Sequence, residues 1–148
     1  MIDFILEIDW LLFFHFAGII IGLGAVTVID LMGFISRKDK KWTRTTIQAH
    51  HVTKPLIWIG SLLLIATFVF IFPREGITTL NLAKSGLLVI MALNGSFLSF
   101  YVSPRLDKLA GKNVLLHSSL QNKIATSMII SFLSWWIFVL LSVSGLRI

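Results

Sequence analysis

The chain has 148 residues, the length of one domain, and it is 56% hydrophobic with only 14% charged residues. A soluble domain carries about 25% charged residues; this composition, with a mean hydropathy of +0.89, excludes a soluble enzyme or a nucleic-acid binder. The absence of Cys excludes disulfides, thiolate nucleophiles and Cys-built metal sites, and the net charge of +6 comes from positives placed between apolar stretches, as membrane proteins place them.

Met1 to Asp9 holds Asp3, Glu7 and Asp9 and no Lys or Arg. It predicts a short acidic lead-in lying at an interface rather than a cleavable signal peptide. The first span follows, over about 10–35. From Trp10 to Ile29 it has twenty residues without a formal charge, enough to cross a hydrocarbon core of roughly 30 Å as a helix. At about 100° per residue, Gly18, Gly22, Val26 and Gly33 share a face with His15, and Asp30 lies at its edge. That smooth face predicts helix contact, and the Ile, Leu and Phe elsewhere predict lipid contact.

Ser36 to Lys54 is basic, with Arg37, Lys38, Lys40, Lys41, Arg44 and Lys54, and Trp42 as an interfacial anchor. Residues 42–52 lack Gly and Pro and predict a helical extension outside the membrane. Pro55 then kinks the helix or starts the second span, 55–72. Pro73-Arg74-Glu75-Gly76 is a turn signal. Asn81 is a predicted N-cap for the third span, 82–103, which stops at Pro104. A second basic segment runs from Arg105 to Lys123, broken at Gly111, with helix predicted from Val114 into the fourth span, 124–146.

The first and third connections hold ten of the thirteen Lys and Arg; Arg74, Lys84 and Arg147 fall on the other side. This asymmetry places those two connections in the cytoplasm. The predicted fold is all-α, an integral-membrane four-helix antiparallel bundle running up-down-up-down, with both termini on the non-cytoplasmic side of an inner membrane. The stripes Gly18-x-x-x-Gly22 in span one, Ser127, Ser131, Ser134, Ser142 and Gly145 in span four, and the looser Met91, Asn94, Gly95 and Ser99 in span three read first as close packing and second as the lining of a polar cavity for a ligand.

Ionisable groups inside a membrane are costly unless paired or solvated, which makes each a functional candidate. His15 leads. It would ligate haem iron or a metal, relay a proton, or simply hydrogen-bond a neighbouring side chain or carbonyl. Lys84 would snorkel to headgroups or meet an anionic ligand, and Asn94 would join helices or touch a ligand. Asp30 calls for a partner, for which Arg105 and Lys54 stand first. The alternative gathers Asp30, one of His50 and His51, and His117 into a site for Zn or Cu. No GxSxG, P-loop, HExxH, CxxC or GxGxxG motif is present.

The run His15-Phe16-Ala17-Gly18-Ile19-Ile20-Ile21-Gly22-Leu23-Gly24 is joined by Asp30-Leu31-Met32-Gly33-Phe34, Ile57-Trp58-Ile59-Gly60, Ala83-Lys84, Leu93-Asn94-Gly95 and Pro104-Arg105-Leu106. In these pieces, spread over spans one to three, the chain resembles bacterial four-span membrane proteins distantly similar to the copper-resistance protein D-like and HemJ-type protoporphyrinogen oxidase families. The resemblance implies haem b or a porphyrin at His15, with Lys84 as its anion contact. Asn94 departs from the pattern, standing where those relatives tend to carry a second histidine. Copper handling would call for Met or His clusters, and Met32, Met91 and Met128 are scattered. Three functions stay open: a cofactor-binding bundle, a small transporter or permeation module, and an accessory or assembly protein. Expected partners are membrane lipid, with anionic lipid at the basic connections, and a second copy or a membrane partner, but no nucleic acid.

Overall fold

The computed structural model describes residues 9–110, 112 and 114–144, and the side chains within that range except those of 74 and 75. The acidic lead-in, Gly111, Gly145 and Arg147 lie outside the described residues. Every regular element among them is helical: α1 (Trp10–Ser36), α2 (Lys40–Glu75), α3 (Thr79–Ser96), a π-helical turn (Phe97–Val102), α4 (Ser103–Asp107) and α5 (Ser118–Ser144). Four helical stretches have the length and hydropathy of membrane spans, Trp10–Ser36, Lys40–Pro73, Thr79–Asp107 and Ser118–Ser144.

Helix starts are set by side chains that accept otherwise unpaired N–H groups. Asp9 accepts from the Leu12 N–H at 3.1 Å, and Asp39 accepts from the Lys41 N–H at 2.7 Å. The Thr78 hydroxyl accepts from the Asn81 N–H at 3.1 Å, so Thr78 caps α3 and Asn81 belongs to its first turn. His117 does the same for α5, its Nδ1 accepting from the Ser119 N–H at 3.3 Å. That cap starts the helix at Ser118, four residues later than the sequence predicts.

Two prolines behave differently from expectation. Pro55 neither starts nor ends a helix; α2 runs through it for 36 residues. Pro104 does not stop the third span. A helical proline has no N–H to give the carbonyl four residues back, and its ring crowds that carbonyl. Just before Pro104 the helix widens into the π turn, in which the Ser103 N–H reaches back to Leu98 O, and the span then continues to Asp107. A wider turn relieves the crowding without breaking the helix.

The antiparallel α1–α2 contact is the most extensive, followed by α3–α5 and α1–α5; the α2–α3 contact is smaller than these. Glycines set the α1–α2 separation. A Cβ on Gly60 would lie 2.6 Å from the Gly22 Cα and 2.8 Å from the Gly18 carbonyl oxygen, so backbone meets backbone here. Gly22 also receives the Trp135 ring of α5. The main core joins all four stretches through Val26, Leu64, Met91, Trp135 and Phe138. Around it, Ile20, Val69, Leu93, Phe100 and Leu140 are each at least 60% exposed, an apolar exterior far beyond what soluble monomers display.

Candidate functional site: a polar-walled cavity in the Asp30 half

A cavity of about 1060 Å³, counted with the open space at its mouth, lies among the four stretches. Its enclosed part is much smaller, about 110 Å³ of space open to the centre of a water-sized sphere. Its walls are mostly apolar, with Ile57, Leu88, Met91 and Trp135 among them, and it carries the polar residues Asp30, Thr46, His50, Lys54, Trp58, Ser61, Ser99 and Ser131. The cavity is partly open to the exterior. Ile65 in its wall is 38% exposed, and a Cβ on Gly95 would meet nothing within 4 Å.

Helix periodicity builds the polar wall. His50, Lys54, Trp58, Ser61 and Ile65 follow one another at steps of three and four along α2, one stripe of a continuous helix. Asp30 faces them from α1. Thr46 donates its hydroxyl proton to Met32 O, and Gly60 packs on Gly22, so Asp30 lies opposite about residue 50 when the antiparallel register is interpolated between those contacts.

Most of the polar lining is satisfied within the bundle. Lys54 Nζ donates to Ser103 Oγ at 3.2 Å, and Trp58 Nε1 donates to Ser99 Oγ at 2.9 Å. These two bonds tie α2 to the third span. Asp30 and His50 are different. Asp30 is 8% exposed, and its Oδ2 is buried without a hydrogen-bond partner. His50 Nε2 is likewise buried and unpartnered. The expected ion pair of Asp30 with Arg105 or Lys54 does not form. The Arg105 guanidinium lies over the Tyr101 ring and donates to the Tyr101 carbonyl, and Lys54 turns to Ser103.

His15 does not line this cavity. It is buried in the other half of the bundle, with Nδ1 2.9 Å from Thr67 Oγ1 and the Phe138 ring at 6.0 Å. The Thr67 hydroxyl has one proton and lies 2.7 Å from Leu63 O, to which it donates. His15 Nδ1–H is therefore the donor to Thr67. Lys84 is 6% exposed, buried in the first half of α3 rather than extended to the surface. Asn94 is an interhelical clasp. Its Nδ2 donates to Ser127 O at 3.0 Å, and its Oδ1 accepts from the Ser127 hydroxyl at 2.6 Å.

The proposed metal set is not brought together. Asp30 and His50 share the cavity, but His51 is exposed and pairs with Asp107 at 3.6 Å, and His117 is exposed and caps α5. Among the described residues no group of three or more His, Asp or Glu side chains has the spacing to hold a metal ion. Sequence reasoning missed Lys54, Trp58 and Ser61 as cavity residues. The signal was the stripe along α2, which is visible only if the helix is carried through Pro55. No protein-family model, curated protein or solved structure matches the chain.

Proposed function

We propose that this chain is a multi-pass inner-membrane protein that holds a membrane-dissolved amphiphile in the cavity of its Asp30 half. The single observation that carries this reading is an apolar cavity, open at its side, with an unpartnered buried carboxylate and an unpartnered imidazole nitrogen in its walls. An apolar exterior and four span-length helices support insertion, and the cluster of positives near the Asp30 end supports a cytoplasmic placement of that end. In that setting an apolar body enters through the open side of the cavity, and its polar end meets Asp30, His50 and Lys54. A buried polar group without a partner costs several kcal/mol in lipid, and a ligand that supplies the partner recovers that cost. The test is to fill the cavity. Mass spectrometry of the detergent-purified protein is expected to find one amphiphile per chain, lost in Ser61→Trp and Gly95→Leu with helix content unchanged. A wild-type protein that carries none, and takes up none from mixed micelles, would refute the reading.

A second reading, haem b or a related tetrapyrrole at His15, is favoured by one observation. Nδ1–H donates to Thr67, the kind of second bond that metal-bound imidazoles make. Protein already covers the ring on nearly all sides, so a macrocycle docks there only with Phe138 displaced. A Soret band after addition of haemin, lost in His15→Ala, would support it; no band would remove it.

A further inference from the structure

The cavity holds an acid and a base that are not paired with each other. Asp30 on α1 is 8% exposed and has no cation within ion-pairing distance among the described residues. Lys54 on α2 has one acceptor, Ser103 Oγ, for an ammonium that carries three donors. His50 adds a buried Nε2 with no partner. Thr46, Trp58 and Ser99 are already hydrogen-bonded within the bundle.

Charge balance then selects the ligand. A simple cation would satisfy Asp30 and add a second positive charge beside Lys54. A simple anion would satisfy Lys54 and leave Asp30 buried against another negative charge. Either leaves one ion unmatched in a poorly solvated space, where it is most costly. A zwitterion answers both and leaves the net charge unchanged. The unpartnered atoms add a further condition: Asp30 Oδ2 calls for an N–H donor, and His50 Nε2 takes a second when its own proton sits on Nδ1, so the cationic end must carry N–H.

We infer that the amphiphile is a zwitterionic phospholipid with a primary ammonium head, phosphatidylethanolamine in type, its ammonium on Asp30 and His50 and its phosphate on Lys54. The inference rests on the reading of the cavity as an amphiphile site and names its head-group chemistry. The acyl chains leave past Ile65 and Gly95. Phosphatidylcholine has the same charges but no N–H on its cationic end, so it balances the cavity without satisfying either acceptor. This differs from anionic lipid gathering at the basic connections, which needs no cavity and no Asp30.

The experiment is native mass spectrometry of the full chain, released from vesicles of equal phosphatidylethanolamine, phosphatidylcholine and phosphatidylglycerol. Phosphatidylethanolamine is expected to be retained over phosphatidylcholine by at least about tenfold, the worth of one hydrogen bond to a charged group. Asp30→Asn, close to isosteric and thus a safe variant for folding, abolishes that preference. Lys54→Gln weakens both zwitterionic lipids together, and Lys40→Gln in the first connection changes neither. Equal or stronger retention of phosphatidylglycerol, insensitive to Asp30→Asn, overturns the inference while leaving an amphiphile cavity standing. Free phosphoethanolamine that competes as well as the lipid overturns the lipid source of the same chemistry. Retention of no lipid under any condition refutes the cavity reading itself.

Discussion

Gly60→Ala tests the claim that the α1–α2 contact is backbone against backbone. The added Cβ would lie 2.6 Å from both the Cα and the N of Gly22. Ordinary contact begins near 3.4 Å, so the two helices must part by about 0.8 Å (3.4 minus 2.6) at their closest point. No flexible side chain is there to yield. A gap of about 0.5–1 Å forfeits a quarter to a half of the dispersion energy of the affected atom pairs, and overpacking costs about 1–3 kcal/mol in measured cases. Against this stands the intrinsic gain of Ala over Gly in a helix, up to about 1 kcal/mol. Gly24→Ala is the internal control, because its Cβ would meet nothing within 4 Å. It collects the same gain with no clash. The two variants should therefore differ by about 1–3 kcal/mol, with Gly60→Ala the less stable. Reversible unfolding in mixed detergent micelles, followed by Trp fluorescence, measures that difference. Stabilities within about 0.5 kcal/mol of each other would refute the close approach, since surface changes alone stay in that range.

Three further outcomes are expected. Asn94→Leu removes both bonds of the clasp to Ser127 and should cost about 1–2 kcal/mol in the same assay, since interhelical bonds in lipid average below 1 kcal/mol each; no change would make the clasp incidental. His15→Leu should cost about 1 kcal/mol for the lost bond to Thr67 while leaving lipid retention as in wild type, because His15 does not line the cavity; loss of retention would move the site. Asp30→Leu should unfold later than wild type by about 1–3 kcal/mol, since it removes a buried group with an unpartnered oxygen, and should lose the amphiphile. A less stable Asp30→Leu would mean that the carboxylate has a structural partner.

Fold class was legible because it rests on properties that survive any packing. Four uncharged stretches are long enough to span, and a smooth face on α1 meets a neighbour, as Gly18, Gly22 and Gly60 show. Boundaries were less legible where backbone chemistry has two outcomes. Pro55 reads as a helix start or a kink, and α2 passes straight through it; Pro104 reads as a stop, and a π turn carries the span past it. The cavity suffered directly from the first of these. Dividing the chain at Pro55 put His50 and Lys54 in a connection and Trp58 and Ser61 in a span, although together they form one stripe. His15 drew attention as the histidine deepest in a span, but depth in a sequence does not say whether a ring meets a cavity or a threonine. Here it meets Thr67, fifty-two residues away, and no local spacing predicts that contact.

The polar groups inside the bundle fall into two kinds. His15 with Thr67, Asn94 with Ser127, Trp58 with Ser99 and Lys54 with Ser103 each cross from one span to another. Such bonds fix helix register, and apolar packing in lipid, being non-directional, fixes it poorly. They explain why these residues sit in apolar helices without any ligand. Unpartnered buried atoms are few among the described residues. Asn81 Oδ1 and Ser142 Oγ are neutral, and Asn81 keeps a bond from its Nδ2 to Gly76 O. Asp30 and His50 are ionisable, and both open on the same cavity. A leucine at position 30 would pack there at no electrostatic cost. An acid buried in that wall, with one oxygen unpartnered and no ion pair among the described residues, is the group that a ligand entering the proposed site would satisfy.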